Sequence, residues 1–332
     1  MARIGTGLGR AARLTSGSAN AESSIARPES SRRAVLSSSR SAPDERCGGT
    51  GGEQYDARVI DLHAHVLPGI DDGPASIEES VALAEAASQD GVRTLALTPH
   101  LRDDHPRVVP HELSARREAL AERLAAESCD VELVTGGELD VVWARRASPE
   151  ELLLVSYGQA GSDLLIETPY GELPYHFEQM LGALQERGFR LLLAHPERNP
   201  TLRADPARLR RLVERGVLVQ LTAASLAGPR RSRSRQLALA AIKEGIAHVI
   251  ASDAHGEATV VRAGLSDGVA AALDADPTRP EWMVTEAPAA ILAGSPLPPA
   301  PAPSSVGHVG RRLRSILSGA GAQASSRVRR RR

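Results

Sequence analysis

The segment Val59-Ile60-Asp61-Leu62-His63-Ala64-His65 is an apolar run that ends in two histidines. Their i, i+2 spacing puts both imidazoles on one face of an extended chain. The pattern recurs downstream. Thr94-Leu95-Ala96-Leu97 precedes Thr98-Pro99-His100, and Val131-Glu132-Leu133-Val134 precedes Gly136-Gly137-Glu138. Leu164-Leu165-Ile166 runs into Glu167, Leu191-Leu192-Leu193 into Ala194-His195, and Val249-Ile250-Ala251 into Ser252-Asp253-Ala254-His255. Ligating side chains that repeatedly follow strands are what a β/α barrel offers, because its site gathers at the C-terminal strand ends. Mixed imidazole and carboxylate donors suit Zn, Mn, Fe or similar divalent ions. With Asp72 the candidate ligands number nine, too many for one ion and about right for three. These observations describe a multinuclear metallohydrolase.

Helix signals alternate with these runs, which argues for parallel βα units. Ser76-Ile77-Glu78-Glu79 reads as a capping box opening a helix to Gly91, with Ile77, Val81, Ala84 and Ala87 on one face. Further helices are expected at about 110–127, 175–187, 206–215 and 231–244. Gly188, Gly216 and Gly245 follow three of them, where a left-handed C-cap favours glycine. Strands are expected at 189–194, 217–222 and 246–251.

Composition narrows the classes. No stretch approaches the 18 or so apolar residues of a membrane span. Two cysteines, Cys47 and Cys129, do not make a disulfide framework and fit a reducing cytoplasm. Neither is followed six positions on by arginine, so a thiolate phosphatase loop is absent. Aromatics are 2% of the chain, which argues against base-stacking recognition of nucleic acid. Residues 1–57 are rich in Ser, Gly, Ala and Arg without apolar periodicity, and are expected to be a disordered extension. Residues 58–295 form the expected catalytic domain, and 296–332 a Pro-rich and then basic tail, best read as solvated. The tails are basic, so the body between them is acidic, as suits a site that concentrates cations.

Each candidate has a plainer reading. Asp71-Asp72-Gly73 fits a turn, and His100 alone fits a polar strand end. Glu138 and Glu167 close apolar strands, where an unpaired charge is costly to bury, so each requires a cation or an arginine. Arg198, three residues after His195, can fork onto phosphate oxygens or pair with a surface acid. Asp61 fits an orienting role beside the ligands. Glu197 and His248 fit structural ones, and His105 and His111 a charged loop near solvent or substrate.

Together Asp61-Leu62-His63-Ala64-His65, Asp71-Asp72-Gly73, Thr98-Pro99-His100, Gly137-Glu138, Ile166-Glu167, Ala194-His195-Pro196-Glu197-Arg198 and Ser252-Asp253-Ala254-His255 resemble the polymerase and histidinol phosphatase (PHP) superfamily. Within it, the stretch Leu67 to Pro74, the helix after it and Thr168-Pro169-Tyr170 resemble the bacterial tyrosine-protein phosphatases encoded with capsule and exopolysaccharide genes. The resemblance covers about residues 58–290. It implies an α/β fold, a distorted (β/α)7 TIM-like barrel. It implies three divalent ions, Mn foremost with Mg, Fe, Co or Zn as alternatives, on His63, His65, Asp72, His100, Glu138, Glu167, His195, Asp253 and His255. It also implies hydrolysis of phosphotyrosine on a membrane-associated tyrosine autokinase that regulates polysaccharide export, with no nucleic acid and no membrane span. An oligomer is compatible with it.

The family's second phosphate-binding arginine follows the last histidine in a D-x-H-x-x-x-x-R-P-P run; here the nearest counterpart, Arg262, comes two positions later without the prolines. The loops at 66–75 and 101–112 are expected to rim an open site, with Leu67, Ile70 and Val108 available to an aryl ring. A phosphatase of a small molecule, histidinol phosphate or a sugar phosphate, is the alternative. An amidohydrolase would bridge its metals with a strand-end lysine, but the only lysine, Lys243, falls in an expected helix.

Overall fold

The computed structural model describes residues 58–302. The arginine-rich stretches at 1–57 and 303–332 lie outside the described residues. Nine strands are described: β1 Val59–Ala64, β2 Val92–Leu97, β3 His100–Leu101, β4 Glu132–Thr135, β5 Glu138–Leu139, β6 Asp163–Glu167, β7 Arg190–Ala194, β8 Leu218–Thr222 and β9 Val249–Ala251. Every pairing is parallel, in the orders β1-β2-β4 and β3-β5-β6-β7-β8-β9. Strand β3 resumes β2 after Thr98-Pro99, and β5 resumes β4 after Gly136-Gly137. The nine strands are thus seven staves, two of them broken. A parallel bridge at Ala64 and Ala254 joins the chain beyond β9 to β1. It carries bonds from Asp253 N to His63 O (2.8 Å) and from His65 N to Ala254 O (2.8 Å). At the opposite end, Ile60 N donates to Val284 O (2.8 Å) and Ile250 N to Met283 O (3.2 Å), so a C-terminal segment pairs with both β1 and β9. This is the expected barrel, and its distortion lies in the split staves and the short β1–β9 bridge.

The strands are buried along nearly their whole length, because helices cover a parallel sheet and leave no wet face. The expected helices form at Ile77–Gln89, Leu113–Ala126, Phe177–Glu186, Pro206–Glu214 and Arg233–Lys243. Ser76 caps the first, accepting from Glu79 N, but the Glu79 carboxylate reaches Ala75 N (2.8 Å) rather than Ser76 N. The reciprocal capping box occurs instead at Ser148 and Glu151, opening Pro149–Val155. Gly188, Gly216 and Gly245 take φ of 95°, 83° and 75°, the left-handed turn expected after three of the helices. The proline-rich stretch after residue 295 is not wholly free of the body, since Leu297 and Ala300 pack against the core. Among the described residues no helix is long and apolar enough to cross a membrane.

Helix Leu265–Leu273 lies against Ala223–Ala227, the short helix that leaves β8. The approach is so close that a Cβ on Gly268 would stand 2.5 Å from Ala223 Cα. Gly268→Ala is therefore expected to lower stability by about 1–3 kcal/mol, the usual cost of overpacking. The check is a urea midpoint that falls at unchanged slope; an unaltered midpoint would mean the two helices part freely.

Candidate metal centre

The C-terminal strand ends bring all nine expected ligands into one cluster. His63 lies on β1 and His65 just beyond its end, and the i, i+2 spacing sets their Nε2 atoms 3.3 Å apart. Glu138, at the start of β5, is fully buried beneath them. Its Oε2 lies 3.3 Å from His63 Nε2, 3.3 Å from His65 Nε2 and 3.0 Å from His100 Nδ1. Its Oε1 lies 2.8 Å from His195 Nε2. Asp253 Oδ1 stands 3.3 Å from His63 Nε2 and 3.6 Å from His65 Nε2. Glu167 Oε2 is 4.0 Å from His100 Nδ1. Asp72, half-exposed, closes the outer side, with Oδ1 3.3 Å from His255 Nε2 and 3.5 Å from His100 Nε2.

The backbone is bent to make this convergence. His195 (φ 37°) and Asp253 (φ 55°) both adopt the left-handed region that non-glycine residues seldom occupy. Such strain persists where surrounding structure overdetermines it, and it gathers at functional sites. At the break between β4 and β5, a Cβ on Gly137 would meet Leu101 Cδ2 at 2.5 Å, so the chain passes β3 there only because it lacks a side chain.

These residues fit divalent ions. His100 Nδ1 and Glu138 Oε2 are buried and make no hydrogen bond, although they stand 3.0 Å apart. Buried polar atoms are normally satisfied, and two facing acceptors are satisfied by a cation between them. Donors that share one ion at about 2.0–2.2 Å stand roughly 3–3.5 Å from each other, the spacing found here. Four overlapping groups could hold metal: His65, Asp72, His100 and His255; His63, His65 and Glu138; His63, His195 and Asp253; His100, Glu138 and Glu167.

The electrostatics follow from packing acids among imidazoles. Burial disfavours charge on His65, yet the neighbouring carboxylates of Asp253, Asp71 and Glu138 override it and hold the imidazole pKa well above its ordinary value. Burial pushes Glu138 up, but the surrounding imidazoles of His63, His100 and His195 win and hold it well below the usual carboxylate range. Glu167 is raised, first by burial and then by the neighbouring Glu138 charge.

Supporting residues lie behind the ligands. Asp61, pushed up to about 6 by burial, accepts from Ser252 N (3.0 Å) and His63 N (3.2 Å), the orienting role expected of it. Gln220 Oε1 holds His63 Nδ1 (3.0 Å) and His195 N (3.3 Å). Asp71 Oδ2 takes His65 Nδ1 (2.8 Å) and His100 N (3.2 Å). Glu197 accepts from Thr222 N (3.0 Å) and His248 Nδ1 from Val219 N (3.1 Å), both structural. In the sequence Asp71 is marked only as part of a turn beside Asp72, and nothing local marks Gln220.

Two arginines meet the cluster. Arg198 Nη1 donates to Oδ2 of the buried Asp253, a partner its place after His195 did not announce. Arg102, which the sequence reading missed, donates from Nη1 to both Glu167 oxygens (2.8 and 3.2 Å) and clasps Asp104. Arg262 lies exposed on the helix Glu257–Ala263 and makes no hydrogen bond or ion pair with the ligand set. His105 stacks on His100 at 5.1 Å, whereas His111 is exposed. Leu67, Ile70 and Val108, expected at the rim, are instead buried in the core, where no ring can reach them. Lys243 is exposed on its helix, so no lysine stands at a strand end among the described residues.

The fold and site define an α/β barrel whose strand ends gather imidazole and carboxylate donors in groups that could hold metal. Residues 59–267 match the family model for capsular polysaccharide synthesis, CpsB/CapC, and the chain belongs to that family. It is similar to the tyrosine-protein phosphatase YwqE of Bacillus subtilis, at 34% identity over 204 residues covering 60% of this chain and 79% of that protein. It is also similar to a putative tyrosine-protein phosphatase, CapC, of Staphylococcus aureus, at 31% over 197 residues covering 59% and 77%. A solved structure from work on YwqE and on CpsB of Streptococcus pneumoniae, described as unique metal-dependent tyrosine phosphatases, matches with a TM-score of 0.65 and 29% identity. The match covers 74% of this chain and 100% of that one.

Because Asp71 orients His65 and braces the His100 backbone, Asp71→Asn is expected to weaken divalent-ion binding about 10–100-fold, the scale for such supporting carboxylates. Titrating the metal-free protein with Mn²⁺ by calorimetry measures it. An unchanged affinity would show that His65 holds its orientation unaided.

Proposed function

We propose that the chain is a metal-dependent protein-tyrosine phosphatase, a phosphomonoesterase acting on phosphotyrosine. The observation that carries this reading is the convergence of nine donor side chains and an arginine on one barrel rim, in a member of the CpsB/CapC family. The donor set would hold three divalent ions, manganese foremost, with magnesium, iron, cobalt or zinc as alternatives. When bound, such ions supply an activated water as nucleophile and positive charge for the phosphoryl oxygens.

The chain's own groups do the rest. Glu138 and Asp253, charged although buried, provide the negative field that retains cations. Asp61, Asp71 and Gln220 fix the imidazoles that face inward. Arg198, at the edge of the cluster against Asp253, is placed to fork onto the transferring phosphoryl group and neutralise charge that develops there. Phenolate leaves more readily than an alkoxide, so the scheme needs no dedicated proton donor. Arg262 has no part in it. The substrate we assign is a phosphotyrosine protein, a membrane-associated tyrosine autokinase of capsule or exopolysaccharide synthesis, met in the cytoplasm; the family's description as capsular polysaccharide synthesis supports it.

Arg198→Ala is expected to keep fold and metal yet lose roughly 10²–10³ in turnover, the scale of removing one preorganised charge-stabilising donor. Lysine at this position should rescue poorly, because it cannot form the bidentate fork. Unchanged turnover would remove Arg198 from the scheme. For the substrate class, kcat/KM should be much higher for an aryl phosphate and a phosphotyrosine peptide than for a phosphoserine peptide or histidinol phosphate. If histidinol phosphate or a sugar phosphate is preferred, the small-molecule reading replaces this one.

A further inference from the structure

The chain is poor in aromatics, with four tyrosines, two tryptophans and two phenylalanines. Two of those tyrosines, Tyr170 and Tyr175, are among its most exposed large side chains, and both lie on the loop that follows the ligand Glu167. Tyr170 is 67% exposed, only three residues beyond Glu167. An exposed aromatic usually sits on a mobile loop, but this one is fastened on both sides. Asn199, buried beside Arg198, donates through Nδ2 to Pro169 O (2.7 Å) and to Gly171 O (2.9 Å), the carbonyls that flank Tyr170. Thr168 Oγ1 bonds Ala194 O, and Leu173 N donates to Thr201 Oγ1 (3.1 Å). The guanidinium of Arg102, itself locked onto Glu167, stands 6.0 Å from the Tyr170 ring centroid, within cation–π range.

We propose that Tyr170, anchored by Asn199 and backed by Arg102, is the specificity-determining residue that stacks on the phenyl ring of an aryl phosphate ester. The assignment rests on the phosphatase reading above and adds to it the residue that distinguishes aryl from alkyl esters. Rigid aromatics bury large apolar area at small entropic cost, and ring pairs favour offset or edge contacts. With Leu67, Ile70 and Val108 buried in the core, Tyr170 is an exposed ring close to the ligand Glu167.

The test uses the metal-loaded full chain, with p-nitrophenyl phosphate and a phosphotyrosine peptide set against an alkyl phosphate of equal charge. In Tyr170→Ala the aryl-to-alkyl ratio of kcat/KM should fall roughly three- to tenfold, the size of one aromatic pair. The loss should lie in KM for the aryl esters, while inhibition by inorganic phosphate is preserved. Tyr170→Phe, which keeps the ring, should retain the ratio. If the unmodified chain shows no aryl preference, the phosphatase reading for phosphotyrosine fails. If it shows the preference and Tyr170→Ala keeps it, or loses aryl and alkyl turnover equally, the reading stands and the Tyr170 assignment is overturned.

Discussion

A carboxylate with no access to water, Glu138, sets the terms for the rest of the site. Burying a lone charge costs several kcal/mol even after relaxation, so the fold must surround it with compensating groups. It does so with four imidazoles from two staves and the turn after a third: His63 and His65 at the end of β1, His100 on β3, and His195 beyond β7. One acid therefore ties together elements that the hydrogen-bond ladder joins only in series. Breaking it from one side would leave uncompensated charge in the core, whereas adding cations relieves every member at once.

Bringing these atoms within about 3 Å of one another demands backbone that regular strands do not supply. Two staves break just before their ligand, at Thr98-Pro99 and at Gly136-Gly137, so that β3 and β5 restart and pair with each other at His100 and Glu138. Two other ligands, His195 and Asp253, sit in left-handed backbone. Asp253 N then bonds His63 O, which makes the strained residue part of the β1–β9 seam. The metal centre and the closure of the barrel are the same piece of chain.

That coupling explains what could be read from the sequence. Eight of the ligands were legible because each is announced locally, by an apolar run that stops at a His, Asp or Glu; Asp72 sits in a turn and came with the resemblance, and the structure gathers all nine. Helix ends marked by Gly188, Gly216 and Gly245 were legible for the same reason. Asp71, Gln220, Arg102 and Asn199 were not, since each acts by touching a segment 25 or more positions away or, for Asp71, by which of two adjacent acids turns inward. Leu67, Ile70 and Val108 were misplaced at the rim because an apolar residue in a loop does not declare which side of the loop meets the core. Arg262 was followed by count from His255, but the shifted register lands it on the outer face of a helix.

The arginines add a last constraint on what enters the mouth. Each grips an outer carboxylate of the cluster, Arg102 on Glu167 and Arg198 on Asp253. Without ions, the four ligand carboxylates outweigh these two guanidinium groups unless the imidazoles are protonated, and the raised pKa values of His63 and His65 reflect that shortage of positive charge. Divalent ions in the proposed number would displace those protons and exceed the carboxylate charge, leaving the mouth positive with two arginines at its edge. A phosphate dianion is the ligand such a field favours. The exposed side of the cluster carries Asp72 and, beyond Glu167, Tyr170, so an ester group on a bound phosphate would leave by that side.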